Sequence, residues 1–270
     1  MNKKIAFIGG GNMAKSIIQG LLRQELLPNS DIFVSGPHPE NLASLAALNV
    51  QVHHSNAEVA RAADIIILSV KPAVISLVLD EIQDTITPDK LIISIANGIT
   101  INELSRLTPF GTRIIRAMPN TPAKVGKALT GLCHAESATL EDIADASEIF
   151  QSCGTVEWIE EGLLSALVGI AGSAPAYFFV MLEAMADAAV KSGMKRATAY
   201  RVAAQAMLGS AALALETGSH PGILKDEVCS PGGATIEAVQ ALEDKGFRSA
   251  VMAAVLTASD FTKQASQDKQ

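Results

Sequence analysis

A chain of 270 residues with 49% hydrophobic and 18% charged side chains has apolar material for two packed domains and too little charge for a disordered protein. Its net charge of −7 argues against a nucleic-acid or anionic-membrane surface, because both need a basic face. Three cysteines, Cys133, Cys153 and Cys229, are odd in number and lack C-x-x-C spacing, so free thiols in a reducing cytoplasm are expected rather than disulfides or zinc. His53 and His54 are adjacent on a strand and point to opposite faces, so they cannot share a metal, and no metal is expected. The apolar run after the basic start is too short for a signal peptide.

In chain order, strands are predicted at 5–8, 31–35, 51–53, 64–70, 91–95 and 113–116, with helices at 13–23, 39–48, 57–62 and 73–82 between them. Continuous apolar strands alternating with helices predict an α/β Rossmann domain, a doubly wound and mainly parallel sheet covered on both faces. Beyond residue 160 the strand pattern stops. Alanine-rich helices are expected at 163–191, 198–216 and 234–263, with Gly193 and Gly218 at helix ends. The expected division is a dinucleotide-binding domain over 1–160 and an all-α domain over 161–270. Residues 162–182 carry no charge and are long enough for a bilayer, which needs about 20 apolar residues. Ser165, Ser173, a mid-segment Pro175 and acidic rather than basic flanks favour instead a helix buried between subunits, with no membrane partner.

The strongest chemical signal is Ile8-Gly9-Gly10-Gly11-Asn12-Met13-Ala14. Gly9, Gly11 and Ala14 fill the small positions of G-x-G-x-x-G/A directly between a strand and a helix. Glycines there permit a tight turn and let backbone N–H groups approach a pyrophosphate at the helix N-terminus. The second strand ends in Ser35-Gly36-Pro37-His38, with no acidic residue before Glu40. An acid at this position holds the ribose 2′-hydroxyl of NAD, whereas Ser35 and Gly36 can donate to a 2′-phosphate, so NADPH is favoured and NADH is the alternative. Val70-Lys71-Pro72 and Ala96-Asn97-Gly98 close the fourth and fifth strands, and Met118-Pro119-Asn120-Thr121-Pro122 is expected as a rigid loop after the sixth. Lys71 alone also fits a solvated strand end, and prolines often cap strands.

In the helical half, Gly172-Ser173-Ala174-Pro175 is expected to break or kink a helix, or to form a wall beside a nicotinamide ring. Ser230-Pro231-Gly232-Gly233-Ala234-Thr235 opens the last helix, and its backbone N–H groups suit a carboxylate.

These motifs together resemble pyrroline-5-carboxylate reductase. The likeness runs through IGGGNMA, SVKP at 69–72, MPNTPA at 118–123, GSAPAYFF at 172–179 and HPGILKDEVCSPGGATI at 220–236, the last being the most specific. The resemblance implies a homodimer or larger homo-oligomer whose helical domains intertwine, and reduction of a cyclic imine by hydride transfer. It implies that Gly9, Gly10, Gly11, Asn12 and Met13 hold the pyrophosphate. Ser35, Gly36 and Asn56 would reach the adenosine end. Val70, Lys71, Pro72, Ala96, Asn97, Met118 and Pro119 would line the nicotinamide half. Ser230, Gly232, Gly233, Ala234, Thr235 and Ser173 would hold the substrate, with Thr235 near the ring nitrogen as the catalytic residue. Asn97 and Ala174 depart from the family pattern, which often has Ala and Gly there. A β-hydroxyacid dehydrogenase is the nearest rival, but its catalytic lysine has no counterpart, because no Lys or Arg lies between Gly162 and Ala189. A non-enzymatic dinucleotide sensor would have no use for the anion loop at 230–235.

Overall fold

The computed structural model describes residues 3–267. Six strands pair in parallel: β1 (Ile5–Ile8), β2 (Ile32–Ser35), β3 (Gln51–His53), β4 (Ile65–Leu68), β5 (Leu91–Ser94) and β6 (Arg113–Pro119). Their order in the sheet is β3-β2-β1-β4-β5-β6. Strands β1, β4 and β5 are buried at every position, as central strands covered on both faces must be. Side chains alternate between the two faces. Ile65 and Ile67 join Phe7, Ile17, Leu21 and Phe150 in one core, while Ile66 and Leu68 join Ile8, Val59, Leu79 and Leu104 in the other.

The helices that supply these cores are α1 (Asn12–Arg23), α2 (Pro39–Ala46), α3 (Asn56–Ala62), α4 (Ile75–Ile82), α5 (Ile101–Arg106) and α6 (Leu140–Gln151). A capping box, Thr100 with Glu103, starts α5, and Thr139 with Asp142 starts α6 in the same way. The buried Lys90 ammonium donates to the carbonyls of Ala60 at 2.9 Å and Ala63, closing the C-terminal end of α3.

Two further strands extend the sheet. β7 (Ala128–His134) runs antiparallel to β6, and β8 (Gly154–Trp158) runs parallel to β7. Neither reads clearly from residue type, because Ala128, Gly131 and Gly154 are poor strand formers. The two glycines are there for packing reasons. A Cβ at Gly131 would run into the Leu167 side chain, and one at Gly154 into the Ala128 backbone. The sixth strand also continues to Pro119, so Met118 and Pro119 end a strand rather than begin a loop, and a short 3-10 helix at Thr121–Val125 follows.

The expected helix at 163–191 is not one α-helix. It comprises α7 (Leu164–Leu167), a π-helical turn at Val168–Gly172 and α8 (Ala174–Lys191). α9 (Arg196–Thr217) ends at Gly218 in the left-handed conformation, φ 61°, as helix C-termini favour. α10 (Pro221–Val228) was not anticipated. The helix predicted at 234–263 is two, α11 (Ala234–Asp244) and α12 (Phe247–Gln267), parted at Gly246 with φ 70°.

The chain divides into two compact units: residues up to Gly172 together with those from Ala258 onward, and Ser173–Thr257. The second unit buries few side chains. Among the described residues of α8 to α11, only Ala174, Ala186, Ala199 and Ala203 are buried. Phe178, Phe179, Val180, Leu208, Leu215 and Met252 all stand more than half exposed. The stretch Glu161–Lys191 is long and apolar enough to cross a membrane; its 18-residue apolar window has a mean hydropathy of 1.8, and only 22% of that window is buried within the chain.

Candidate functional site

The strand registers place Ile8, Ser35, Leu68, Ser94 and Arg116 in one row at the carboxyl edge of the sheet. Ligands of open parallel sheets bind beyond that edge. The segments expected to touch a dinucleotide that begin at Gly9, Gly36, Val70 and Ala96 leave the sheet there, while Met118 and Pro119 carry β6 beyond it.

The glycine turn is locked from two sides. Gly9 has φ 105°, and a Cβ on it would lie 2.5 Å from the Ser69 carbonyl oxygen. Its N–H donates to Ser35 O at 2.8 Å, while the Ser69 hydroxyl donates to Gly9 O at 2.5 Å and Ile8 O at 3.1 Å. Gly10 sits against Leu42, whose Cδ2 would be 2.5 Å from an added Cβ. Gly11 differs from both. A Cβ there would meet nothing within 4 Å, and it caps α1 through an extended backbone with no side-chain hydrogen bond. The first-turn N–H groups of α1, from Asn12 and Met13, thus have no capping side chain and carry the positive end of the helix dipole. In front of them lies a cleft of about 320 Å³, lined by Gly9, Gly10, Gly11, Gly36, Val70 and Lys71 among others. A backbone cradle that no side chain fills, opening on a cleft, fits a pyrophosphate. Ser69 and Leu42 hold this cradle and were missed from sequence, because their roles arise from packing rather than from a motif.

At the strand end expected to meet the adenosine half, Ser35 makes its contact within the protein. Ser35 is fully buried, and its hydroxyl donates inward to Asn56 Oδ1 at 2.7 Å, so its one donor is engaged by the protein. Asn56 Nδ2 in turn donates to Glu81 Oε2 at 2.7 Å. Glu81 of α4 is thus linked to this strand end through Asn56.

Of the residues expected to line the nicotinamide half, Ala96 is buried with its N–H donating to Ser94 Oγ at 3.3 Å, and Asn97 is exposed. Pro72 opens the turn into α4 beside the exposed Lys71. Met118 and Pro119 are half-buried, and the next residue, Asn120, bridges two segments. Its Nδ2 donates to Ala171 O at 3.0 Å in the π-helical turn, and its Oδ1 accepts from Leu129 N at 3.0 Å. The buried Arg116 pairs with Glu161 at 2.5 Å, and Glu161 Oε1 also accepts the Ile101 N–H at 2.7 Å, fixing the start of α5.

The remaining predicted residues belong to the second unit. Ser173 is the N-cap of α8. Gly233 is the N-cap of α11 and, like Gly11, supplies no side-chain cap. Gly233 N donates to Ser230 O at 3.0 Å, a Cβ on Gly233 would strike Ser230 Oγ, and Gly232 has φ 66°. Ser230, Gly232, Gly233, Ala234 and Thr235 thus form a tight turn that presents an uncapped helix start, with Thr235 half-buried in the first turn. Cys133 and Cys153 lie outside both places, and burial pushes each thiol up to about 11.

Residues 161–265 match a family model described as pyrroline-5-carboxylate reductase dimerisation, and residues 4–98 match one described as NADP oxidoreductase, coenzyme F420-dependent. The pyrroline-5-carboxylate reductase of Escherichia coli K12 is 49% identical over 94% of this chain and 95% of its own length. That of Methanosarcina acetivorans is 43% identical over 97% of this chain and 98% of its own. A solved pyrroline-5-carboxylate reductase from Coxiella burnetii superposes with a TM-score of 0.93 at 34% identity, covering 98% of this chain and 99% of the other. The Plasmodium falciparum pyrroline carboxylate reductase, solved with NADP bound, superposes with a TM-score of 0.89 at 31% identity, each chain covered to 98%.

Proposed function

The chain belongs to the pyrroline-5-carboxylate reductase family, and from that premise we propose that it reduces 1-pyrroline-5-carboxylate to L-proline with NADPH or NADH. The observation that carries this reading is the pair of glycine-started, uncapped helices, α1 at the sheet edge and α11 in the dimerisation region. A sensor of dinucleotides needs the first and has no use for the second.

In this reading the backbone of Gly9, Gly10, Gly11, Asn12 and Met13 holds the pyrophosphate. Gly36 and Asn56 meet the adenosine end, with Ser35 fixing Asn56. Val70, Lys71, Pro72, Ala96, Asn97, Met118 and Pro119 line the nicotinamide half. Ser230, Gly232, Gly233, Ala234 and Thr235, with Ser173, take the substrate, whose carboxylate is stabilised at the positive end of α11. When bound, the reduced nicotinamide supplies a hydride to the C=N carbon, and the nitrogen ends as the amine of proline with a proton drawn from solvent. The protein's contribution is orientation and exclusion of water. Thr235 donates a hydrogen bond to the ring nitrogen and holds the ring in place, because an unperturbed alcohol is a weak general acid.

Residues 1–160 serve as the dinucleotide-binding domain and 161–270 as the substrate-binding and dimerisation domain. A homodimer is supported by the sparse core of α8 to α11 and by the exposed Phe178, Phe179, Leu208 and Met252, since monomers rarely leave such surface in water. A cytoplasmic location is supported by free Cys133, Cys153 and Cys229. The test is oxidation of NADPH and NADH in the presence of racemic pyrroline-5-carboxylate, with proline identified as product. Cofactor oxidation strictly dependent on the imine is expected, and no turnover with either cofactor refutes the proposal.

A further inference from the structure

Resting on the dinucleotide reading above, we infer that Glu81 is a specificity-determining residue that weakens discrimination in favour of the 2′-phosphorylated cofactor. Three observations place it. Ser35, the last residue of β2, accepts the Gly9 N–H, so it adjoins the pyrophosphate cradle. In sheets of this type the group at that strand end meets the ribose 2′ substituent. From Ser35 a directed chain runs Ser35 Oγ to Asn56 Oδ1 at 2.7 Å and Asn56 Nδ2 to Glu81 Oε2 at 2.7 Å.

The direction of that chain decides the chemistry. The Ser35 hydroxyl and one N–H of the Asn56 amide are both directed along the chain towards Glu81. A carboxylate only accepts. A ribose 2′-hydroxyl can donate, so it suits a surface ending in a carboxylate. A 2′-phosphate ester carries between one and two negative charges near neutral pH, so a phosphate that accepts the second Asn56 N–H lies beside the carboxylate held by the first. The Glu81 carboxylate then faces the phosphate as a like charge. Glu81 thus does from α4 what an acid at the end of β2 does in NAD-binding sheets. Its position 46 residues downstream of Ser35 hides it from inspection of the strand.

The test uses fragments that report this end alone. Binding of 2′,5′-ADP and of ADP is measured by calorimetry on the full chain and on E81Q. E58Q serves as control, since Glu58 contacts His53 rather than Asn56 and removes the same charge nearby. E81Q is expected to tighten 2′,5′-ADP about tenfold, equal to ~1.4 kcal/mol. ADP is expected to stay within about twofold, and E58Q to change neither by more than that. A parallel change for both fragments, no change, or an equal gain in E58Q overturns the inference. If the unaltered chain binds neither fragment, the dinucleotide reading falls, and this inference with it. Raised salt is expected to shrink the E81Q gain, as screening requires.

Discussion

A methyl group added at Gly9 and at Gly11 separates what the glycine turn does for the fold from what it does for a ligand. Gly9→Ala places an L side chain at φ 105°, which costs ~1–3 kcal/mol. The new Cβ also lies 2.5 Å from the Ser69 oxygen and 2.9 Å from its carbonyl carbon. Those are backbone atoms at the end of β4 and cannot rotate away, so the end of the strand must move, at ~1–3 kcal/mol. The expected loss of stability is therefore about 2–6 kcal/mol, and the bonds from Gly9 N to Ser35 and from Ser69 Oγ to Gly9 go with it. Gly11→Ala has none of this. Its backbone is extended, with φ −73° and ψ −178°, and its Cβ meets no protein atom. Stability is expected to fall by no more than ~1 kcal/mol, the difference between a Gly and an Ala N-cap. The same methyl enters the space in front of the uncapped helix start. Losing one charge-assisted hydrogen bond there costs ~1.5–3 kcal/mol, a fall of roughly tenfold to a hundredfold in NADPH affinity. Urea unfolding followed by circular dichroism gives the first quantity, and enhancement of nicotinamide fluorescence gives the second. Gly11→Ala that binds NADPH within twofold of the unaltered chain would show that the pyrophosphate does not sit against α1.

Thr235→Ala is expected to lower kcat about tenfold or more, from one lost hydrogen bond to the reacting ring, while NADPH affinity stays within twofold. Unchanged kcat removes the role given to Thr235. Phe179→Asp, at an exposed apolar position of α8, is expected to shift the sedimenting species from dimer to monomer at micromolar concentration. An unchanged mass argues that this face is not covered by a second copy. Alkaline pH gives a third measurement. Cys133 and Cys153 rise from an ordinary value of 9.0 to about 11 because burial disfavours their thiolates. The stabilisation is complete below pH 9 and disappears as the pH climbs to 11, because the unfolded chain releases those protons first. Each thiol contributes about 3 kcal/mol across that window. Cys133→Ser/Cys153→Ser is expected to flatten the fall in stability between pH 9 and 11. Equal slopes refute the assignment. Burial also pushes the Lys90 ammonium down, but that group is common to both proteins and cancels.

The central sheet was legible because Ile65–Leu68 and Leu91–Ser94 must be buried on both faces, and such strands announce themselves as unbroken apolar runs. The glycine turn was legible because a backbone constraint leaves its mark in residue type: nothing larger fits at Gly9. β7 and β8 escaped for the opposite reason. Gly131 and Gly154 are small so that Leu167 and the Ala128 backbone can approach, and that requirement is visible only in three dimensions. The ends of the last helices depended on Gly246 adopting a positive φ, which residue type permits without compelling. At the site, the position of Ser35 followed from its place at a strand end, but the direction of its hydroxyl did not. That direction is set by Asn56 and Glu81, 21 and 46 residues away.

The thin interior of Ser173–Thr257 has a consequence for how the chain is made. The α/β unit carries both large cores, so its apolar side chains find their partners within the same molecule, in a first-order event. Helices α8 to α11 cannot, because most of their apolar side chains are buried by nothing in the same molecule. On the dimeric reading their folding is completed by encounter, a second-order event whose rate depends on how many copies are nearby. With association constants of about 10⁵–10⁷ M⁻¹s⁻¹, a chain at roughly micromolar concentration waits between a tenth of a second and ten seconds. During that interval Phe178, Phe179 and Leu208 face water, and the newborn chain is most exposed to aggregation. Low expression therefore threatens this protein twice: fewer molecules are made, and each remains unfinished for longer.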